Sequence, residues 1–145
     1  MEESCLKVLG VPKVLVLMCD TDQRAILQKV LEPHADLTCV CTPQEMSEQL
    51  ERASYDAVFC ARSLSMGSWR EVLEEVRQSY PHLLVIIVSR TADEKEWLEV
   101  LEAGAFDLLS PPYYERVLLA MLEHAMVSHD ARVAREGEFS NVKVS

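Results

Sequence analysis

Leu83-Leu84-Val85-Ile86-Ile87-Val88 is an unbroken apolar run, and its reading decides the fold. It is far too short to span a bilayer. A strand with one wet face would alternate apolar and polar residues. A continuous run fits a strand covered on both faces, as in parallel sheets packed between helices. Val14-Leu15-Val16-Leu17-Met18-Cys19 is a second run of this kind, and Tyr55-Asp56-Ala57-Val58-Phe59-Cys60-Ala61 contains a third, with the strand over 56–61. Shorter strands are predicted at 37–41 and 106–109.

The segments between the strands carry helix signals. Thr21 and Asp22 are both candidate caps for the first helix. Ala25, Ile26, Lys29 and Val30 follow at helical spacing, Leu27 and Leu31 broaden the apolar face, and Pro33 ends it. Thr42-Pro43-Gln44-Glu45 is a capping box with proline at the first helical position, and Ser68-Trp69-Arg70-Glu71 and Thr91-Ala92-Asp93-Glu94 repeat the pattern. Gly104 sits where a helix stopping near Ala103 needs a left-handed residue. The last helix is predicted from about Tyr113 into the 120s. Alternating strands and amphipathic helices of this kind predict an α/β fold, a doubly wound, five-stranded parallel sheet with helices on both faces. Periodicity leaves the strand order open.

The chain has a single-domain length of 145 residues, with a domain expected over 13–127 and a C-terminal helix extension and flexible tail over 128–145. The formal net charge of −10 argues against binding to a nucleic-acid backbone or an anionic membrane. The acidic, short-patterned N-terminus does not read as a secretory signal, and a cytoplasmic location is expected. The five cysteines include no CxxC pair, which favours a reduced setting over a disulfide framework, with most of them packed as small hydrophobes.

Four segments, in order and correctly spaced over about 13–127, resemble bacterial response-regulator receiver domains. They are Val14-Leu15-Val16-Leu17-Met18-Cys19-Asp20-Thr21-Asp22-Gln23-Arg24, Tyr55-Asp56 leading to Ala61, Val85-Ile86-Ile87-Val88-Ser89, and the alanine-glycine-alanine turn with the strand end behind it in Glu102-Ala103-Gly104-Ala105-Phe106-Asp107-Leu108-Leu109-Ser110-Pro111-Pro112-Tyr113. The resemblance implies a flavodoxin-like sheet of order 2-1-3-4-5 with five helices and a working crevice at the strand carboxyl ends. It also implies two-component phosphorelay signalling, in which an acidic pair and an acceptor aspartate hold Mg²⁺, a lysine pairs with the phosphoryl group, and a hydroxyl reads out the modification.

This chain departs from the family at nearly every one of those positions. The acidic pair aligns with Met18 and Cys19, the acceptor with Ala61, the lysine with Pro111 and the aromatic switch with Leu108; Ser89 alone keeps a suitable group. The expectation is a pseudo-receiver, without Mg²⁺ or any other cofactor and without catalytic residues, that is not phosphorylated in the usual way. Its partner would be a signalling protein or a second copy of itself. The face used would be that of the fourth helix, fifth strand and fifth helix, with Trp97, Tyr114 and Arg116 as contacts and Tyr113 packed inside. Trp97 reads equally well as a core residue.

Two alternatives remain. Asp20 or Asp22 is a possible unconventional phosphosite, although Asp20 at the crevice edge and Asp22 as a helix cap is the favoured reading; Ser63 and Ser65 read as loop hydroxyls. Cys19 and Cys60 end neighbouring strands and make a thiol- or metal-responsive site conceivable, with zinc or copper(I) as the metal; core packing is favoured. The four histidines read as surface residues. The Pro111–Pro112 bond is expected to be cis, as the resemblance implies. No GxGxxG, GxxxxGK[ST] or GxSxG motif is present to support a nucleotide-binding or hydrolase reading.

Overall fold

The computed structural model describes residues 11–64, 66–91 and 93–127. Ser65, His129 and the expected tail over 128–145 lie outside the described residues. The strands are β1 (Lys13–Leu17), β2 (Asp36–Val40), β3 (Ala57–Ala61), β4 (Leu84–Val88) and β5 (Asp107–Leu109). All neighbours pair in parallel in the order β2-β1-β3-β4-β5, the order implied by the resemblance. The helices are α1 (Thr21–Leu31), α2 (Pro43–Arg52), α3 (Trp69–Ser79), α4 (Glu94–Glu102) and α5 over residues 115–127.

The pleat sorts the strand residues between two apolar layers. Leu15 and Leu17 of β1, Val58 and Cys60 of β3, and Val85 and Ile87 of β4 pack with Met46 and Leu50 of α2, Trp69, Val72, Leu73 and Val76 of α3, and Val100 of α4. The alternate residues, Val14, Val16, Phe59, Ile86 and Val88, pack with Leu27 and Leu31 of α1 and with Leu118, Leu122 and Met126 of α5. Period-two alternation thus feeds both faces, which is why the central runs are apolar without a break.

Helix starts follow local chemistry. The Thr42 and Ser68 capping boxes form as the sequence predicts. Two other caps differ. Asp20, not Thr21 or Asp22, caps α1: its Oδ1 accepts from the N–H groups of Asp22 (3.1 Å) and Gln23 (3.2 Å). Asp22 lies in the first turn, where its charge complements the helix dipole. At α4 the cap is Asp93, which accepts from Glu96 N–H at 2.7 Å, so the predicted Thr91 box does not form. Thr91 instead closes a turn onto Ser89, donating its N–H to the Ser89 hydroxyl.

Strand β2 begins and ends one residue earlier than predicted, because the Cys41 N–H turns to Glu45 Oε1 (2.7 Å) and leaves the ladder. β3, β4 and β5 likewise each start one residue late. Gly104, at φ +109°, takes the expected left-handed turn, and the Pro111–Pro112 bond is cis.

Candidate functional site

The carboxyl ends of β1, β3 and β4 open onto a cavity of about 210 Å³. Its floor is apolar, formed by Met18, Ala61 and Val88, all buried. Its walls are polar: Asp20 and Gln23 from the start of α1, Arg62 and Ser63 after β3, Ser89, Arg90 and Thr91 after β4, and Tyr113 before α5. Open parallel sheets place ligand crevices at this end, because the loops that leave successive strands diverge there.

Of the residues singled out in the sequence, Met18, Asp20, Ala61 and Ser89 meet in this cavity. Asp22 is exposed on α1 and does not line this cavity. Leu108 is buried in the layer beneath α4, and Pro111 is exposed. Trp97 (42% exposed) and Tyr114 (62%) stand on the surface, so Trp97 is not enclosed in the core, and Arg116 is exposed as well. Tyr113 is packed inside as expected, and its hydroxyl donates to Gln23 Oε1 at 2.9 Å. Burial, with the Asp20 charge nearby, pushes its phenol above the usual range.

Charged groups around the cavity are already committed to one another. Arg90 forms an ion pair with Asp20 across the mouth. That hydrogen bond first, then the Gln23 N–H, holds the Asp20 carboxyl below the usual carboxylate range. On the other side Glu96, only 7% exposed, takes a hydrogen bond from the Ser89 hydroxyl (2.6 Å) and an ion pair from Arg62 Nε (3.0 Å). Arg62 also reaches Glu99 (3.4 Å), and Glu99 pairs with Arg70 of α3. Ser89 Oγ has a second acceptor, the Thr91 carbonyl, also at 2.6 Å. A hydroxyl has one proton to give, and the charged acceptor makes the stronger bond.

Sequence reading missed Arg62, Arg90 and Glu96. Arg62 directly follows β3 and Arg90 comes two residues after β4, neighbouring strands in the implied sheet order, a signal that was available. Glu96 gave none, since a glutamate in a helix's first turn is ordinarily solvated.

The cysteines require a correction. Cys19 and Cys41 form a disulfide, with Cα atoms 4.7 Å apart, inside the range such a bond requires. Parallel pairing of β1 with β2 carries the two turns side by side, with the Met18 N–H donating to the Val40 carbonyl at 3.0 Å. Cys60, the companion of Cys19 only in the less favoured reading, packs as expected into the layer beneath α2 and α3; it is fully buried, and burial pushes its thiol up to about 12. Cys39 is half-buried, with its thiol also raised by burial. Among the described residues no three of His, Cys, Asp and Glu come together to hold a metal. His34 is half-buried, with its Nε2 2.6 Å from a carboxylate oxygen of Glu115.

Strand order and crevice position are those of the doubly wound, flavodoxin-like class to which receivers belong. The family model described as "Response regulator receiver domain" matches residues 14–123, and the chain belongs to that family of two-component signalling modules. No curated protein gives a significant match. The signal receiver domain of a LuxO repressor protein from Vibrio parahaemolyticus superimposes with TM-score 0.76 at 19% identity, covering 88% of this chain and 98% of that one. The signal receiver domain of an HD domain-containing protein from Pseudomonas fluorescens gives 0.74 at 22%, covering 86% and 93%. The receiver domain of a sensor histidine kinase from Pseudomonas aeruginosa, which has a magnesium ion coordinated in its active site cleft, gives 0.71 at 18%, covering 81% and 98%. At these identities the likeness is one of fold. No described helix is long and apolar enough to cross a membrane.

Proposed function

We propose that this receiver is not phosphorylated in its family's usual way and acts through contact with a protein partner, either a signalling protein or a second copy of itself. One observation carries the reading: at the end of β3, on the floor of the crevice, stands the methyl group of Ala61. The positions that the resemblance assigns to metal ligands hold Met18, whose thioether lies on the same floor, and Cys19, whose sulfur is bonded to Cys41. Magnesium takes hard oxygen ligands, so this donor set does not fit the ion coordinated in the P. aeruginosa receiver, and no Mg²⁺ is expected to bind here. Pro111 brings no charge to a phosphoryl group, and Asp20 is engaged as the α1 cap and in its pair with Arg90.

The partner face is the one formed by α4, β5 and α5, where Trp97, Tyr114 and Arg116 are exposed. Aromatic and arginine side chains are favoured anchors in protein interfaces. The net charge of −10 disfavours nucleic acid and anionic membranes as alternatives, and a cytoplasmic location suits such a module.

The test is the intact mass after incubation with acetyl phosphate and Mg²⁺, beside a receiver with a complete site. The mass should stay unchanged while the control gains a phosphoryl group. A labile phosphoryl group on this chain would overturn the reading, and peptide mapping would then begin at Asp20 and Asp22.

A further inference from the structure

We propose that Cys19 and Cys41 form a reversible thiol–disulfide site that exchanges with low-molecular-weight disulfides and, when oxidised, links the β1–α1 turn covalently to the β2–α2 turn. The two residues bond across neighbouring strand ends with Cα atoms 4.7 Å apart. Both are only half-buried, so a small disulfide can reach them. A receiver with two full apolar layers does not need a covalent staple to fold, unlike small secreted domains with scant cores. The other two described cysteines are poor competitors, since Cys60 is enclosed and the Cys39 thiol is disfavoured as thiolate by burial.

Exchange proceeds in two displacements. The thiolate of one cysteine attacks a sulfur of the small disulfide, forming a mixed disulfide and releasing one small thiolate, which takes up a proton. The second cysteine, as thiolate, then attacks the protein sulfur of the mixed disulfide and releases the other small thiolate. Two electrons pass from the cysteine pair to the small disulfide, which leaves as two thiols. The consequence for the site follows from Asp20, the neighbour of Cys19. Its carboxylate caps α1 and meets Arg90 across the cavity, so the bond fixes one wall of the crevice to the edge strand.

The experiment uses the whole chain, fully reduced, then equilibrated with mixtures of reduced and oxidised glutathione, quenched with an alkylating reagent and weighed intact. The count of alkylated thiols should fall by two per chain as oxidised glutathione rises. Peptide mapping should place the link between Cys19 and Cys41, and excess reduced glutathione should reopen it. The variants C19S and C41S should each stop at a glutathione adduct on the remaining member of the pair. The proposal is overturned if both residues stay alkylatable at every ratio, if the link maps to another pair, or if excess reduced glutathione cannot reopen the bond. None of these readouts depends on phosphoryl uptake, so the site stands or falls separately from the proposed function.

Discussion

Glu96→Ala should destabilise the domain by about 2 kcal/mol, and the figure can be built from its contacts. A hydrogen bond to a buried charged group contributes about 1.5–3 kcal/mol. Glu96 makes one to the Ser89 hydroxyl, but alanine leaves that hydroxyl its second acceptor at Thr91, so the loss falls toward the low end of that range. The Arg62 pair adds less, because the Arg62 side chain is 39% exposed and keeps Glu99; exposed pairs contribute roughly 0.2–1 kcal/mol. For a domain of this size the sum corresponds to a fall in Tm of roughly 8 °C. Urea unfolding of Glu96→Gln, Arg62→Ala and the double variant would isolate the pair, with an expected coupling of about 0.5–1 kcal/mol. If Glu96→Ala unfolds within about 0.5 kcal/mol of the parent, below the usual cost of losing a charged hydrogen bond, the network does not hold Ser89 in place and the reasoning fails.

On the proposed reading, a carboxylate at position 61 is not enough: Ala61→Asp, incubated with acetyl phosphate and Mg²⁺, should show no added phosphoryl mass, since the side chains of Met18, Cys19 and Pro111 supply neither oxygen ligands nor counter-charge. Gly104→Ala should cost more than about 1 kcal/mol in urea unfolding, because φ is +109° and a Cβ would lie 3.2 Å from Arg77 Cδ. Asp20 has its folded pKa lowered, so the stabilisation it contributes is present above its unfolded value of 3.8 and is lost as pH falls through the folded one. Asp20→Asn keeps a capping side chain but removes the charge, and its stability should therefore fall less steeply on acidification than the parent's, as read by unfolding curves at several pH values. Trp97→Ala and Tyr114→Ala should each leave stability within about 0.5 kcal/mol, as exposed substitutions do, while weakening self-association or partner capture measured by analytical ultracentrifugation or pull-down.

The strands were legible because their signal is local and strong: a run such as Val85-Ile86-Ile87-Val88 has few other ways to be buried. The caps at Thr42 and Ser68 were legible for the same reason, since the hydroxyl and its glutamate lie three residues apart. At α4 two acceptors competed within a single turn, and the carboxylate of Asp93 prevailed over the hydroxyl of Thr91, which no spacing rule ranks. The crevice residues Met18, Ala61 and Ser89 were found through the family resemblance, not through periodicity. The Cys19–Cys41 bond needed strand order, register and loop direction together, whereas Cys60, in register with Leu17 and enclosed within β3, packs in the core as the favoured reading had it. Glu96 was invisible because its meaning lies wholly in what folds over it.

The two-layer division of each strand also bears on how such a chain tolerates change. Phe59 and Cys60 are neighbours in sequence, yet one fills the space beneath α1 and α5 and the other the space beneath α2 and α3. Swapping one aliphatic residue for another of similar volume disturbs a single layer and is absorbed locally. Losing or gaining one residue inside β3 inverts every side chain beyond it, setting a phenyl ring where a thiol had fitted. The central strands therefore keep count more strictly than they keep identity, and surviving variants of this chain should carry their length changes in the connections, leaving the strands free to drift in composition but fixed in number.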